Sequence, residues 1–63
     1  MNNLTELKRF YWAQVKLYPF LNKELSELVE LAMSEIDEGG SESNECNLAY
    51  RDMVEIIEEH QNK

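Results

Sequence analysis

An apolar and aromatic pattern, repeating in alternating steps of three and four residues from Leu4 to Ala32, constrains the fold more than any other feature. Such a pattern is typical of a helix with one apolar face, and here it lasts for about four heptads. Asn3 and Glu6 have the spacing of a capping box and predict the start of the helix. The repeating positions are Leu4, Leu7, Tyr11, Gln14, Tyr18, Leu21, Leu25, Leu28 and Ala32.

Pro19 lies inside this pattern, where it removes a backbone donor and disfavours helical backbone at the preceding residue, Tyr18. A break into two helices near residues 18–20 is one interpretation. The apolar positions nevertheless keep the same phase on both sides of Pro19, which is not itself one of the repeating positions. We therefore predict one long helix over residues 3–38 that is kinked at Pro19, or two nearly coaxial helices.

A shorter helix is predicted after the segment GGSESNE, residues 39–45, because paired glycines and small polar residues are typical of a loop. Ser43 or Asn44 can cap this helix, which we expect to run from about residue 45 to Glu59. The predicted fold is all-α, a single helical domain over residues 1–63 in which the long and the short helix form a hairpin.

The predicted hairpin leaves residues 4–21 uncovered, because the shorter helix reaches only along residues 22–38. A chain of 63 residues buries little core on its own, and its single cysteine cannot form an internal disulfide. We therefore predict a homodimeric helical bundle in which a second copy covers this segment and Gln14 fixes the register. The predicted dimer interface consists of Leu4, Leu7, Phe10, Tyr11, Gln14 and Tyr18.

Charge is divided unevenly along the chain: residues 1–23 sum to +3 and residues 24–63 to −10, for a formal net charge of −7. The net charge disfavours direct binding of nucleic acid. Aromatic residues flanked by Arg are typical of protein-binding hot spots, although packing of Trp12 at the rim of the dimer is an equally good interpretation. The predicted partner-binding residues are Arg9, Trp12, Lys16 and Phe20.

Carboxylates coat the outer side of the long helix after Pro19. A solvated helix face explains them. Alternatively, ordered carboxylates can imitate the phosphates of nucleic acid and block a basic cleft of a host DNA or RNA enzyme. These residues are Glu24, Glu27, Glu30, Glu35, Asp37 and Glu38.

Catalytic and metal-binding patterns are not found in the sequence. His60 and Cys46 are the only soft metal ligands, and no serine or cysteine has a catalytic partner at a recognisable spacing. We expect no enzymatic activity, no metal and no cofactor. The N-terminus does not have the pattern of a signal peptide and no apolar run is long enough to span a bilayer, so we expect a cytoplasmic protein that binds no membrane.

The segment FYWAQVKLYPF, the acidic end EIIEEHQNK and the length of the chain together carry a resemblance. The chain resembles the short early proteins of lambdoid phages that are encoded between the exodeoxyribonuclease and excisionase genes. The resemblance implies a non-enzymatic accessory protein, made early, that modulates the bacterial host cell or the choice between lysis and lysogeny. It carries no site residues over. The predicted function is binding to a host or phage protein, with nucleic-acid mimicry as the alternative.

Overall fold

Three α-helices run up, down and up in the computed structural model, which describes residues 2–62. They are α1 (Leu4–Leu17), α2 (Asn22–Asp37) and α3 (Glu42–Gln61), and a 3₁₀ turn, Pro19–Leu21, connects α1 to α2. No strand occurs within the described range. The prediction of an all-α fold is confirmed.

The start of α1 is fixed by the predicted cap and by a contact from the last helix. Asn3 Oδ1 accepts a hydrogen bond from the Glu6 N–H at 2.9 Å, and Asn3 Nδ2 donates to Glu6 Oε1 at 3.3 Å. Glu42 Oε2 accepts from the Leu4 N–H at 2.9 Å. These side chains satisfy two of the N–H groups that a helix start leaves without a partner in the helix. The contact from Glu42 also ties the start of α1 to the start of α3.

Pro19 ends α1 instead of kinking it, so the prediction of one helix over residues 3–38 is wrong. Tyr18 leaves the helical conformation at φ −131° and ψ 71°, in line with the restriction on a residue that precedes proline. Its N–H still donates to the Gln14 carbonyl at 2.7 Å, which completes the last turn of α1. The 3₁₀ turn follows, with the Leu21 N–H donating to the Tyr18 carbonyl at 2.9 Å.

The chain reverses its direction at this turn, so the alternative of two coaxial helices is also wrong. The described chain measures 37 Å in its longest dimension. A continuous helix over residues 3–38 would be about 54 Å long at 1.5 Å per residue. Three contacts instead follow one another along α1 and α3 in the same order, so these helices are parallel and α2 is antiparallel to both. They join Leu4 to Glu42 by a hydrogen bond, the Phe10 and Tyr50 rings at 4.8 Å, and Tyr18 Oη to Gln61 Nε2 at 3.1 Å.

Glycine ends α2 in the segment predicted as a loop. Gly39 has a φ of 108°, a conformation that favours glycine. Its N–H donates to the Ile36 carbonyl at 3.0 Å, and the Gly40 N–H donates to the Glu35 carbonyl at 2.8 Å. This pair of hydrogen bonds is a Schellman motif, which satisfies carbonyls at the end of the helix.

The last helix begins earlier than predicted because its cap is Ser41 and not Ser43 or Asn44. Ser41 Oγ accepts from the Asn44 N–H at 3.4 Å, so α3 starts at Glu42. Glu42 and Glu45 lie in the first turn, where negative charge interacts favourably with the helix dipole. The loop is therefore shorter than residues 39–45, and α3 extends to Gln61, beyond the predicted end at Glu59.

One apolar core lies between the three helices. Leu7 on α1 and Leu25 on α2 face it from either side of the turn, and Leu21 faces it from the turn itself. The spacing of the apolar residues keeps its phase across Pro19 because α1 and α2 both turn their apolar sides toward this one core. The two helices do so although they run in opposite directions. The nine buried residues are Leu7, Leu21, Leu25, Val29, Ala32, Cys46, Ala49, Met53 and Ile57.

Leu25→Ala should lower the free energy of unfolding by about 2–5 kcal/mol, the loss typical of a truncated core leucine, because Leu25 is 0% exposed. The matched control is Leu31→Ala on the same helix, where the leucine is 58% exposed. This control should change the free energy of unfolding by less than about 0.5 kcal/mol. Urea denaturation followed by circular dichroism measures both, and equal losses in the two variants would contradict this core.

Candidate protein-interaction surface

The outer face of α1, formed by Arg9, Trp12 and Lys16, points away from the core. These residues follow one another in steps of three and four, so they lie on one side of the helix. The buried Leu7 lies five residues before Trp12, about 140° away around the helix. All three side chains of the outer face are exposed. The structure thus brings together three of the four residues predicted to bind a partner.

Trp12 is the largest side chain of the outer face and is 60% exposed. Its ring packs edge-on against Tyr11, with the ring centroids 5.4 Å apart. The Tyr11 hydroxyl donates to Asn22 Oδ1 at the start of α2, which holds this ring against the bundle. The indole is therefore supported on one side and free on the other. A supported aromatic side chain loses little conformational freedom when it binds a partner.

Phe20, the fourth predicted partner-binding residue, lies at a separate place. It belongs to the 3₁₀ turn and sits at the end of the bundle where α3 also ends. Its ring contacts Tyr18 and His60, with centroid distances of 6.2 Å and 5.1 Å. Phe20 is nevertheless well exposed. Phe20 is therefore a second exposed apolar side chain, partly packed against its own chain. It does not belong to the outer face of α1.

The residues of the predicted dimer interface lie largely inside the single-chain bundle. Leu7 is buried, Gln14 is half-buried, and the other four pack against the core. The premise that residues 4–21 stay uncovered is wrong, because α1 turns back onto α2 and α3. In this bundle Leu7 has no surface left to contribute to a dimer. Homodimerisation itself stays a prediction. The four that pack against the core are Leu4, Phe10, Tyr11 and Tyr18.

The bundle separates its charges by helix. On α1, Lys8, Arg9 and Lys16 stand against Glu6, for a net charge of +2. Net charges of −4 on α2 and −5 on α3 follow from the same count, with histidine neutral. The first helix, α1, is therefore basic, and the other two are acidic. All six carboxylates that were candidates for nucleic-acid mimicry are exposed, on α2 and at its end.

A groove between α2 and α3 is not among the sequence predictions. Leu31 and Leu48 form its walls, and Leu48 is 45% exposed. The signal for it in the sequence is a leucine beside the core stripe on each of two acidic helices. The two leucines are exposed because α1 covers the other side of α2 and α3. The sequence does not show which side α1 covers, so it does not predict the groove. We call this feature the acidic groove; its lining residues are Leu28, Leu31, Ala32, Glu35, Glu45, Leu48, Ala49 and Asp52.

The two potential metal ligands lie in different surroundings. Cys46 is fully buried in the core, whereas His60 is exposed and touches Phe20. Burial raises the pKa of the Cys46 thiol above its ordinary value, and the Glu42 carboxylate raises it further. The thiol therefore stays protonated and unreactive near neutral pH. Within residues 2–62, no three side chains of the types that bind metals lie together as a candidate site.

Cys46 should react with iodoacetamide far more slowly in the native protein than in the urea-unfolded protein. Burial hides the sulfur, and the raised pKa keeps the thiolate population low. Mass spectrometry of timed samples measures the extent of alkylation. A control thiol introduced by Ser43→Cys, in a Cys46→Ala background, should react at once because position 43 is exposed. Equal native rates for the two thiols would contradict the burial of Cys46.

Comparison with known proteins adds no further information about this surface. The search against protein-family models, curated proteins and solved structures found no match. In the described part of the chain, no helix combines the length and the apolar character needed to cross a membrane.

Proposed function

We propose that the protein is a non-enzymatic binding module that attaches to another protein through the outer face of α1. One observation carries this proposal: Trp12 remains mostly exposed although the core is filled without it. The indole packs on Tyr11 at the edge of the core, and most of the side chain stays in solvent. Tryptophan and arginine are, however, the residues most enriched in the hot spots of protein interfaces.

The chemistry of the outer face indicates what it binds. Arg9 and Lys16 lie one turn before and one turn after Trp12, so the indole is flanked by positive charge on the same side of the helix. A complementary partner offers an apolar pocket for the indole with carboxylates at its rim. Salt should then slow association, while the buried indole accounts for most of the affinity.

The setting that we propose is the cytoplasm of a bacterial host, with a host or phage protein as the partner. The resemblance to early proteins of lambdoid phages supports this setting. A small accessory protein that changes the activity of a larger one needs a fold and one binding surface. The bundle and the outer face of α1 meet these two needs, and homodimerisation is not required for the outer face to act.

A second candidate function is mimicry of nucleic acid by the acidic helices. The charge of these helices favours it, because α2 and α3 are both strongly acidic, with net charges of −4 and −5. A mimic competes with DNA or RNA for a basic cleft, and its binding weakens steeply with salt. The two functions use different residues, so substitutions distinguish them.

Trp12→Gln should abolish retention of the partner on a column of the immobilised protein, because the substitution deletes the side chain expected to fill the partner's pocket. Leu17→Gln is the matched control, since Leu17 is 69% exposed on the same helix. Bacterial lysate is passed over wild-type protein and both variants, and the retained proteins are quantified by mass spectrometry. We expect at least one protein that wild type and Leu17→Gln retain equally and Trp12→Gln loses.

The purified partner then allows a direct test. Trp12 is the only tryptophan in the chain, so 5-fluorotryptophan labelling gives one ¹⁹F resonance that reports on this side chain alone. Adding the partner should shift and broaden this resonance. An unchanged resonance, or undiminished binding by Trp12→Gln, would exclude the outer face of α1. Loss of binding in Glu27→Gln with Glu30→Gln, together with competition by duplex DNA, would instead establish the mimic.

A further inference from the structure

The acidic groove is a second surface with the form of a binding site, and it is independent of the outer face of α1. Its cavity volume is about 250 Å³, and no residue of α1 lines it. Small-molecule pockets are larger, roughly 300–1,000 Å³, and enclose most of their ligand. The acidic groove is therefore better suited to a few side chains of a macromolecule than to a whole small molecule.

Two matched stripes of residues build the acidic groove. Residues 28, 31, 32 and 35 on α2 and residues 45, 48, 49 and 52 on α3 each have the spacing i, i+3, i+4, i+7. Each stripe thus covers two helical turns, about 10 Å in length. Ala32 and Ala49 form a low floor, while Leu31 and Leu48 stand higher at the sides. A trough of this form accepts the apolar side of another helix.

Charge identifies the helix that would fit. None of the residues that line the acidic groove is basic, and three of them are carboxylates. Because α2 and α3 are antiparallel, Glu35 and Glu45 lie at the end near the loop and Asp52 at the other end. An apolar side chain in the trough is therefore framed by negative charge at both ends. We propose that the acidic groove binds a cationic amphipathic helix of a partner protein.

A second copy of this chain fits the acidic groove less well. Two such grooves placed face to face would bring their carboxylates together, which is unfavourable. The basic outer face of α1 could enter the acidic groove of another copy, but these two surfaces lie on opposite sides of the bundle. Such a head-to-tail contact would not close a dimer and would continue into a larger ring or an open chain of copies. A helix from a different protein meets neither difficulty.

A designed peptide tests this inference. The probe is a fluorescein-labelled 16-residue peptide of Leu and Lys, with leucines at helical spacing on one side only. A second peptide of the same composition has its residues shuffled so that no apolar side exists. Fluorescence anisotropy titrations against the whole protein give both values of Kd. We expect the amphipathic peptide to bind at least about tenfold more tightly than the shuffled one, a difference that one buried hot spot supplies.

Substitutions locate the bound peptide. Leu31→Ser with Leu48→Ser should weaken binding about tenfold or more, and Glu45→Gln with Asp52→Asn should weaken it and reduce its dependence on salt. Leu17→Ser and Trp12→Gln are the matched controls, and both should bind like wild type. Circular dichroism checks that each variant is folded. Shifts of the Ala32 and Ala49 amide signals of the wild-type protein locate the peptide without any substitution.

Three results would overturn the inference. Equal affinity for the amphipathic and the shuffled peptide would show attraction by charge alone. Loss of binding in Trp12→Gln but not in the leucine variants would place the peptide on the outer face of α1. Concentration-dependent growth of the wild-type protein into large assemblies, abolished by Leu48→Ser, would make a second copy the occupant. None of these results decides whether the outer face of α1 binds its own partner.

Discussion

The restriction that Pro19 places on Tyr18 is the constraint on which the rest of the structure depends. Because Pro19 disfavours the helical conformation at Tyr18, α1 ends there and a three-residue 3₁₀ turn sends the chain back along itself. Contacts far apart in sequence then hold the reversal: Glu42 caps the start of α1, and Phe10 packs against Tyr50. The single chain thereby buries the apolar side of α1, which otherwise needs a second copy to cover it.

The same reversal decides which surfaces are free. With α1 covering one side of α2 and α3, Leu7 enters the core and the side of α1 that carries Trp12 faces solvent. The opposite side of α2 and α3 is left uncovered and forms the acidic groove. The basic helix α1 and the acidic groove therefore lie on different sides of α2 and α3. Both proposed binding surfaces follow from one turn.

The sequence predicted the local structure well because local signals determine it. The all-α fold, the cap at Asn3 and the break at Gly39 and Gly40 each depend on a few neighbouring residues. The reversal at Pro19 could not be predicted in this way, since a straight helix and a hairpin both keep apolar residues in phase. The direction of the chain after Pro19 depends on contacts between residues far apart in the sequence. The spacing of apolar residues carries no information about those contacts. The exposure of Trp12, Leu31 and Leu48 depends on that direction, so Arg9, Trp12 and Lys16 were predicted as a site while the acidic groove was not.

An isotope-filtered nuclear Overhauser experiment tests the reversal most directly. Equal amounts of ¹³C-labelled and unlabelled protein are mixed after unfolding and refolded together, so that any dimer would contain both. The Phe10 and Tyr50 rings, 4.8 Å apart, should give strong cross-peaks in the ordinary spectrum. The structure predicts that these cross-peaks are absent from the filtered spectrum, which passes only contacts between different chains. Their presence there, or their absence from the ordinary spectrum, would show that α1 does not fold back onto α3 of its own chain.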